Sequence, residues 1–274
     1  PVGPLPALPR AAGFDRQLVF TVKGPASHLI GRVLVELPDG YADPARRARR
    51  YPVIEAFHGY PGTPQQWLDS MQLGDVVDAE AAAGRMSPTL IVAPQLEIPP
   101  GRDTECVDGG PGLPAIETWL TTDVPNWVAR TFRVRLDRAS WATAGLSAGG
   151  WCAAMAALMH PARYGSAIVF GGYFAPRFGA QYVPFRRNSP LGRRYDLVAL
   201  VKRAPPPVAM WIETSHSDKT SYTSTAAFLD AVRAPLSVRM VEFGHAGHSI
   251  LLWAGLVPAA VQWLESVPGF RPTH

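Results

Sequence analysis

The chain has 274 residues, of which 47% are hydrophobic and 18% charged, with a formal net charge of +4. This is enough apolar material for a large buried core and excludes an intrinsically disordered chain. The most apolar tract, residues 250–261, is interrupted by Pro258 and too short to span a bilayer, so it reads as a buried helix, and no aromatic-interleaved basic stripe points to nucleic acid.

Residues 1–13 form a Pro-rich arm without periodicity, followed by one domain over 14–274. The first residue is Pro1, which reads as the loss of a leader or as a fragment, and leaves a membrane anchor upstream as an open expectation. Residues 17–22 and 28–37 predict two strands in a hairpin. The run Arg46, Arg47, Arg49 and Arg50 reads as a solvated loop. Residues 51–58 are a continuous apolar run that meets His58-Gly59, which predicts a strand buried on both faces. Residues 74–83 predict a helix, 89–93 a second buried strand, and 114–132 a broken helical pattern.

Further along, 141–146 predicts a strand and 149–159 an apolar, alanine-rich helix. Residues 166–170 predict a strand, and 171–194 an aromatic, Pro- and Arg-rich loop that could cover a site. A strand at 208–214, a helix at 224–232, a strand at 238–243 and a closing helix at 249–267 complete the pattern. Strands alternating with helices predict an α/β fold with a mostly parallel central sheet of about eight strands, flanked by helices.

The chemistry concentrates at Gly145-Leu146-Ser147-Ala148-Gly149. A Gly-x-Ser-x-Gly that ends a strand and opens a helix predicts a nucleophile elbow of the α/β-hydrolase type. Ser147 is the candidate nucleophile, and the Ala148 N–H, at a helix start, a candidate oxyanion donor. A second donor is expected from His58-Gly59-Tyr60-Pro61-Gly62. Pro61 has no N–H, so the Tyr60 amide is the candidate, with His58 structural.

In such a fold the base comes last in the chain. His248 lies between the last strand and the last helix, and His245 is its rival. The His-x-x-His spacing lies in a loop with no third ligand in view, so no metal is expected. Asp218 is the first acid after the 208–214 strand. Glu213 in that strand and Asp230 in the next helix fit the order serine, acid, histidine less well. Tyr60, Trp67, Tyr173 and Phe174 are candidates for a substrate pocket, equally compatible with a core. Cys106 and Cys152 form one disulfide or remain two buried thiols. Their expected position at the same sheet edge favours the bridge, and a bridge implies an oxidising compartment and an exported protein.

The residues Tyr51-Pro52-Val53-Ile54 leading to His58-Gly59, Trp67, Gly145-Leu146-Ser147-Ala148-Gly149-Gly150, and Gly247-His248-Ser249 with Trp253 resemble a family of esterases. It includes esterase D, S-formylglutathione hydrolases, feruloyl esterases and mycobacterial mycolyltransferases. The resemblance covers most of residues 14–267. It implies acyl-ester chemistry without a cofactor on a small-molecule, lipid or aryl ester, with Ser147, Asp218 and His248 as triad and Tyr60 and Ala148 as oxyanion donors. The stretch from Asp218 to Tyr222 and the Cys106 segment resemble actinobacterial members that are exported or membrane-linked. Three activities follow as expectations: a serine carboxylesterase, an acyltransferase of the mycolyltransferase type, or a non-catalytic binding domain of the same fold.

Overall fold

The computed structural model describes residues 12–14 and 16–272. The strands are β1 (Ala12–Phe14), β2 (Gln17–Lys23), β3 (Ile30–Glu36), β4 (Val53–Phe57), β5 (Leu90–Pro94), β6 (Trp141–Leu146), β7 (Ser166–Phe170), β8 (Ala209–Ser215) and β9 (Ser237–Phe243). They form one nine-stranded sheet in the order β1-β2-β3-β5-β4-β6-β7-β8-β9. The expectation of about eight strands is short by β1, which pairs antiparallel with β2 inside what reads as an arm. The rest of that arm lies outside the described residues.

From β5 through β9 every neighbouring pair is parallel, while β2, β3 and β5 pair antiparallel. The carboxyl ends of β4, β6, β7 and β8 therefore share one edge, where ligand sites form in open α/β sheets. The apolar runs are two-faced. Val53 and Phe57 of β4 pack in one layer, and Ile54 and Ala56 in the other, as a side-chain period of two requires. The first layer is closed by helices Val124–Thr131, Ala148–Met159, Leu197–Arg203 and Tyr222–Leu229. The second is closed by Leu73–Ala82 and Ile250–Glu265.

Several boundaries differ from expectation. Tyr51 makes only an isolated bridge to Val134, because Pro52 interrupts the ladder before β4. The broken pattern at 114–132 is a helix, a π-turn and a helix: Ile116–Thr118, Trp119–Asp123 and Val124–Thr131. The 171–194 loop ends in a short helix, Pro190–Arg194, capped by Ser189. The helix Leu197–Arg203, capped by Asp196, lies outside every predicted element, because only Leu197 and Val201 are buried along it.

Candidate functional site

Ser147 sits between β6 and helix Ala148–Met159 with φ +55° and ψ −121°, a conformation that side chains rarely adopt. The flanking glycines explain how it is reached. A methyl group on Gly145 would lie 1.8 Å from the Gly149 carbonyl oxygen, and one on Gly149 would lie 2.1 Å from that of Phe57. Only glycine allows the helix start to press against the end of β4. The Ser147 amide donates to Phe170 O at 2.9 Å, fixing the turn to β7 as well.

His248 and Asp218 arrive from the neighbouring strand exits. The Ala246 and Gly247 amides donate to Ser215 Oγ at 2.9 and 3.2 Å, and Gly247 also reaches Ser217 Oγ at 2.9 Å. These bonds fold the loop after β9 over the end of β8. His248 Nδ1 lies 2.7 Å from Asp218 Oδ2, and Nε2 lies 2.8 Å from Ser147 Oγ. An ionised carboxylate only accepts, so the proton belongs on Nδ1 and Nε2 is left to accept the serine hydroxyl. Asp218 also accepts from Ser221 Oγ at 2.8 Å and from the amides of Thr220 and Ser221 at 2.9 and 3.2 Å. Burial alone would raise its pKa. The hydrogen bonds from His248 and Ser221 outweigh burial and hold the carboxyl below its ordinary range.

The rival residues stand apart. His245 is exposed, and Asp230 caps the end of helix Tyr222–Leu229. Glu213 lies behind the array, where its Oε2 accepts from Trp253 Nε1 at 2.9 Å and Gly171 N at 3.1 Å. Among the described residues no cluster of three or more His, Cys, Asp or Glu side chains could hold a metal.

The turn after β4 runs beside the elbow. A methyl group on Gly59 would come within 3.5 Å of Ser147 Cβ. In this turn the Gly59 amide donates to Gln66 Oε1 at 3.3 Å and the Gly62 amide to Glu97 Oε1 at 3.0 Å. With Pro61 lacking an N–H, the Tyr60 amide is left unpaired among the described residues. The Ala148 amide, first in its helix, has no acceptor within the helix. Tyr60 and Ala148 border the same cleft. His58 is buried and neutral, because burial lowers its pKa. Its Nε2 accepts from Leu96 N at 3.2 Å, so its Nδ1 donates to Gly59 O at 2.8 Å. It is a strut between two loops.

Three of the four aromatic pocket candidates are buried. Trp67 is fully buried against Phe170, with ring centroids 6.3 Å apart. Tyr173 is buried, stacks on Trp151 and donates to Glu105 Oε1 at 2.5 Å. Phe174 stacks on Phe228 at 3.8 Å. All three belong to the packing beneath the loops, where large rings bury more apolar area than an open wall would allow. The aromatic exposed beside the elbow is Tyr60. It lines the cleft that reaches Ala148, and also a groove of about 560 Å³ with Pro99, Arg102 and Tyr182. Glu97, Arg102 and Tyr182 carry no local sequence signal, because only the folding of two loops brings them here.

Cys106 and Cys152 are bonded, with Cα atoms 5.7 Å apart, and both line the cleft. The bridge ties the elbow helix to the 95–110 loop. Glu105 reinforces it, since its carbonyl accepts from Trp151 Nε1 at 2.7 Å and its Oε2 from Arg177 N at 2.8 Å.

Burial pushes three carboxyls up from their ordinary value of 4.5: Glu55 to about 8, and Glu105 and Glu213 to about 7. Folded, each keeps a proton that the unfolded chain releases above pH 4.5. The unfolded state then binds fewer protons, so stability falls as pH rises through this window. The thermal midpoint is therefore expected to drop between about pH 5 and about pH 8. Glu55→Gln should flatten that slope, and scanning calorimetry across the range checks both.

With this geometry in view, three comparisons bear on the chain. A family profile described as "Putative esterase" matches residues 31–243, which include Ser147 and Asp218 and stop before His248. An uncharacterised protein of Corynebacterium glutamicum is 32% identical over 146 residues, which are 53% of this chain. The match spans only 33% of that relative's length. A ferulic acid esterase structure superimposes with a TM-score of 0.74 at 20% identity, covering 92% of this chain and 97% of the other. An S-formylglutathione hydrolase from Agrobacterium tumefaciens gives 0.74 at 17% identity, covering 92% and 95%. A ferulic acid esterase from Anaeromyces mucronatus gives 0.67 at 15% identity, covering 95% and 94%. At these identities the structural likenesses establish the α/β-hydrolase fold, while the profile covers well over half of the sequence; the chain belongs to the putative-esterase family.

Proposed function

We propose that the protein is a serine carboxylesterase working through an acyl-enzyme, with Ser147, His248 and Asp218 as its triad. The observation that carries this reading is the continuous chain of short hydrogen bonds, 2.8 Å from Ser147 to His248 and 2.7 Å from His248 to Asp218, at a strained elbow. His248 Nε2 takes the serine proton as Oγ attacks the ester carbonyl. The amides of Tyr60 and Ala148 receive the oxyanion. Asp218 holds the imidazole in the required tautomer and stabilises the imidazolium, which then protonates the leaving alcohol. Water, activated by the same histidine, releases the acid. The disulfide supports an exported location, where such bonds persist. The substrate is a small-molecule ester entering past Tyr60.

The test is a reaction with p-nitrophenyl acetate and, separately, with a fluorophosphonate. The expected results are an acyl-enzyme burst and a single covalent adduct mapped to the Ser147 peptide. An adduct elsewhere, or turnover without one, would sink the assignment. Added acceptor alcohols should compete with water only weakly. Ester formation that outruns hydrolysis would replace esterase by acyltransferase on the same triad.

A further inference from the structure

Behind the proposed triad, one buried carboxylate joins three separate elements. Glu213, on β8, is 1% exposed. Its Oε2 accepts from Gly171 N at the exit of β7 and from Trp253 Nε1 on the last helix. Trp253 is itself buried and stands edge-on to the His248 ring, with centroids 4.6 Å apart and planes at 87°. Space around this contact is closed. A methyl group on Gly171 would come 2.4 Å from Trp253 Cζ2 and 3.4 Å from His248 Cε1. Gly171 has φ +52° and directly follows Phe170, whose carbonyl holds the Ser147 amide. Moving the Trp253 ring would therefore release one side of the imidazole.

We propose that Glu213 is a positioning residue of this site, fixing Trp253 as the wall that keeps His248 between Asp218 and Ser147. The inference rests on the reading of His248 as general base. Asp218 and Ser147 hold the imidazole at its two nitrogens, but these two bonds leave the ring free to rock about the line between them. An edge-on indole, locked by its own N–H, removes that freedom. Preorganisation of this kind acts on kcat more than on KM, because substrate never touches Glu213 or the indole N–H. The titratable groups acting on Glu213 are Asp218 and His248. Its Oε1 has no partner, so either protonation state leaves the Oε2 contacts in place.

The experiment compares Glu213→Gln, Glu213→Leu and Trp253→Phe. Gln retains a carbonyl oxygen for both N–H donors, and Phe retains a ring beside His248 but no donor. Expected is a fall in kcat of about 10- to 100-fold for Glu213→Leu and Trp253→Phe with little change in KM. Glu213→Gln should stay within a few-fold of the parent, whereas a merely space-filling role would leave Glu213→Leu, which fills similar space without an acceptor, near the parent as well. The readout independent of turnover is the downfield proton resonance of the His248–Asp218 hydrogen bond. It should weaken or shift in Trp253→Phe and Glu213→Leu and persist in Glu213→Gln. Should Glu213→Leu fail to fold, Trp253→Phe and Glu213→Gln still decide. Parental kcat and an unchanged resonance in Trp253→Phe would overturn the proposal. So would a Glu213→Gln protein as slow as Trp253→Phe. A parent protein that shows the resonance but hydrolyses no ester would count against the esterase reading alone.

Discussion

Replacing Ser147 by alanine is expected to lower kcat for p-nitrophenyl esters by on the order of 10⁵ to 10⁶, and His248→Ala by a similar factor. The reason is that the two side chains act as one unit. The hydroxyl is a poor nucleophile until His248 Nε2, 2.8 Å away, accepts its proton. The double variant should therefore be no slower than either single one, since removing half of the unit already disables it. Asp218→Asn should cost about 10⁴ in kcat, because an amide nitrogen in place of Oδ2 favours the wrong imidazole tautomer. The residual rate in these variants should reflect substrate binding together with the proposed Tyr60 and Ala148 donors. Steady-state kinetics on the purified proteins, with active-site titration to exclude contaminating esterase, checks the series. Independent, additive losses would contradict a cooperating array. None of these changes should shift the thermal midpoint greatly, except Asp218→Asn, whose side chain also accepts from Ser221 and Thr220.

The second large effect concerns the bridge. Cys106 and Cys152 close a loop with a sequence separation of 46. Restricting the unfolded chain over that length is worth about 4 kcal/mol in the chain-entropy picture. For a domain of this size, Cys106→Ala with Cys152→Ala should lower the thermal midpoint by roughly 10 °C. Activity should suffer as well, because both residues line the cleft beside Ala148, and Cys152 belongs to the helix that opens at Ser147. Calorimetry of the double variant against the parent tests the stability. A thiol count on denatured, unreduced protein tests the bond itself. Two free thiols would remove both the bridge and the support it lends to an exported location.

The elements that were legible in the sequence share one property: each is determined by contacts close along the chain. β6 and β7 match their predicted limits, each a fully buried run that ends at a serine or glycine. The elbow is local too, since Gly145 and Gly149 relieve clashes within a five-residue turn and against the adjoining strand. The order serine, acid, histidine follows from topology, and Asp218 and His248 stand at strand exits where that order puts them. Helix Leu197–Arg203 and strand β1 escaped because little apolar periodicity marks them, and their neighbours in space complete them.

What the sequence by itself determined is the layout: a Gly-x-Ser-x-Gly elbow on a mostly parallel sheet, with an acid and a histidine following in the order serine, acid, histidine. Only the tertiary structure decided which aromatics stay exposed beside the elbow and which are buried. Trp67, Tyr173 and Phe174 are sealed by rings and helices distant in sequence, whereas Tyr60 stays open because its turn is held out by Glu97 and Gln66. It also decided between a bridge and two thiols, since 5.7 Å between Cα atoms arises from the meeting of a loop and a helix. The same holds for Glu213. In sequence it is a weaker rival to Asp218. In the fold it stands behind His248, because β7, β8 and the last helix converge there, and burial among three elements turns an acid into a brace.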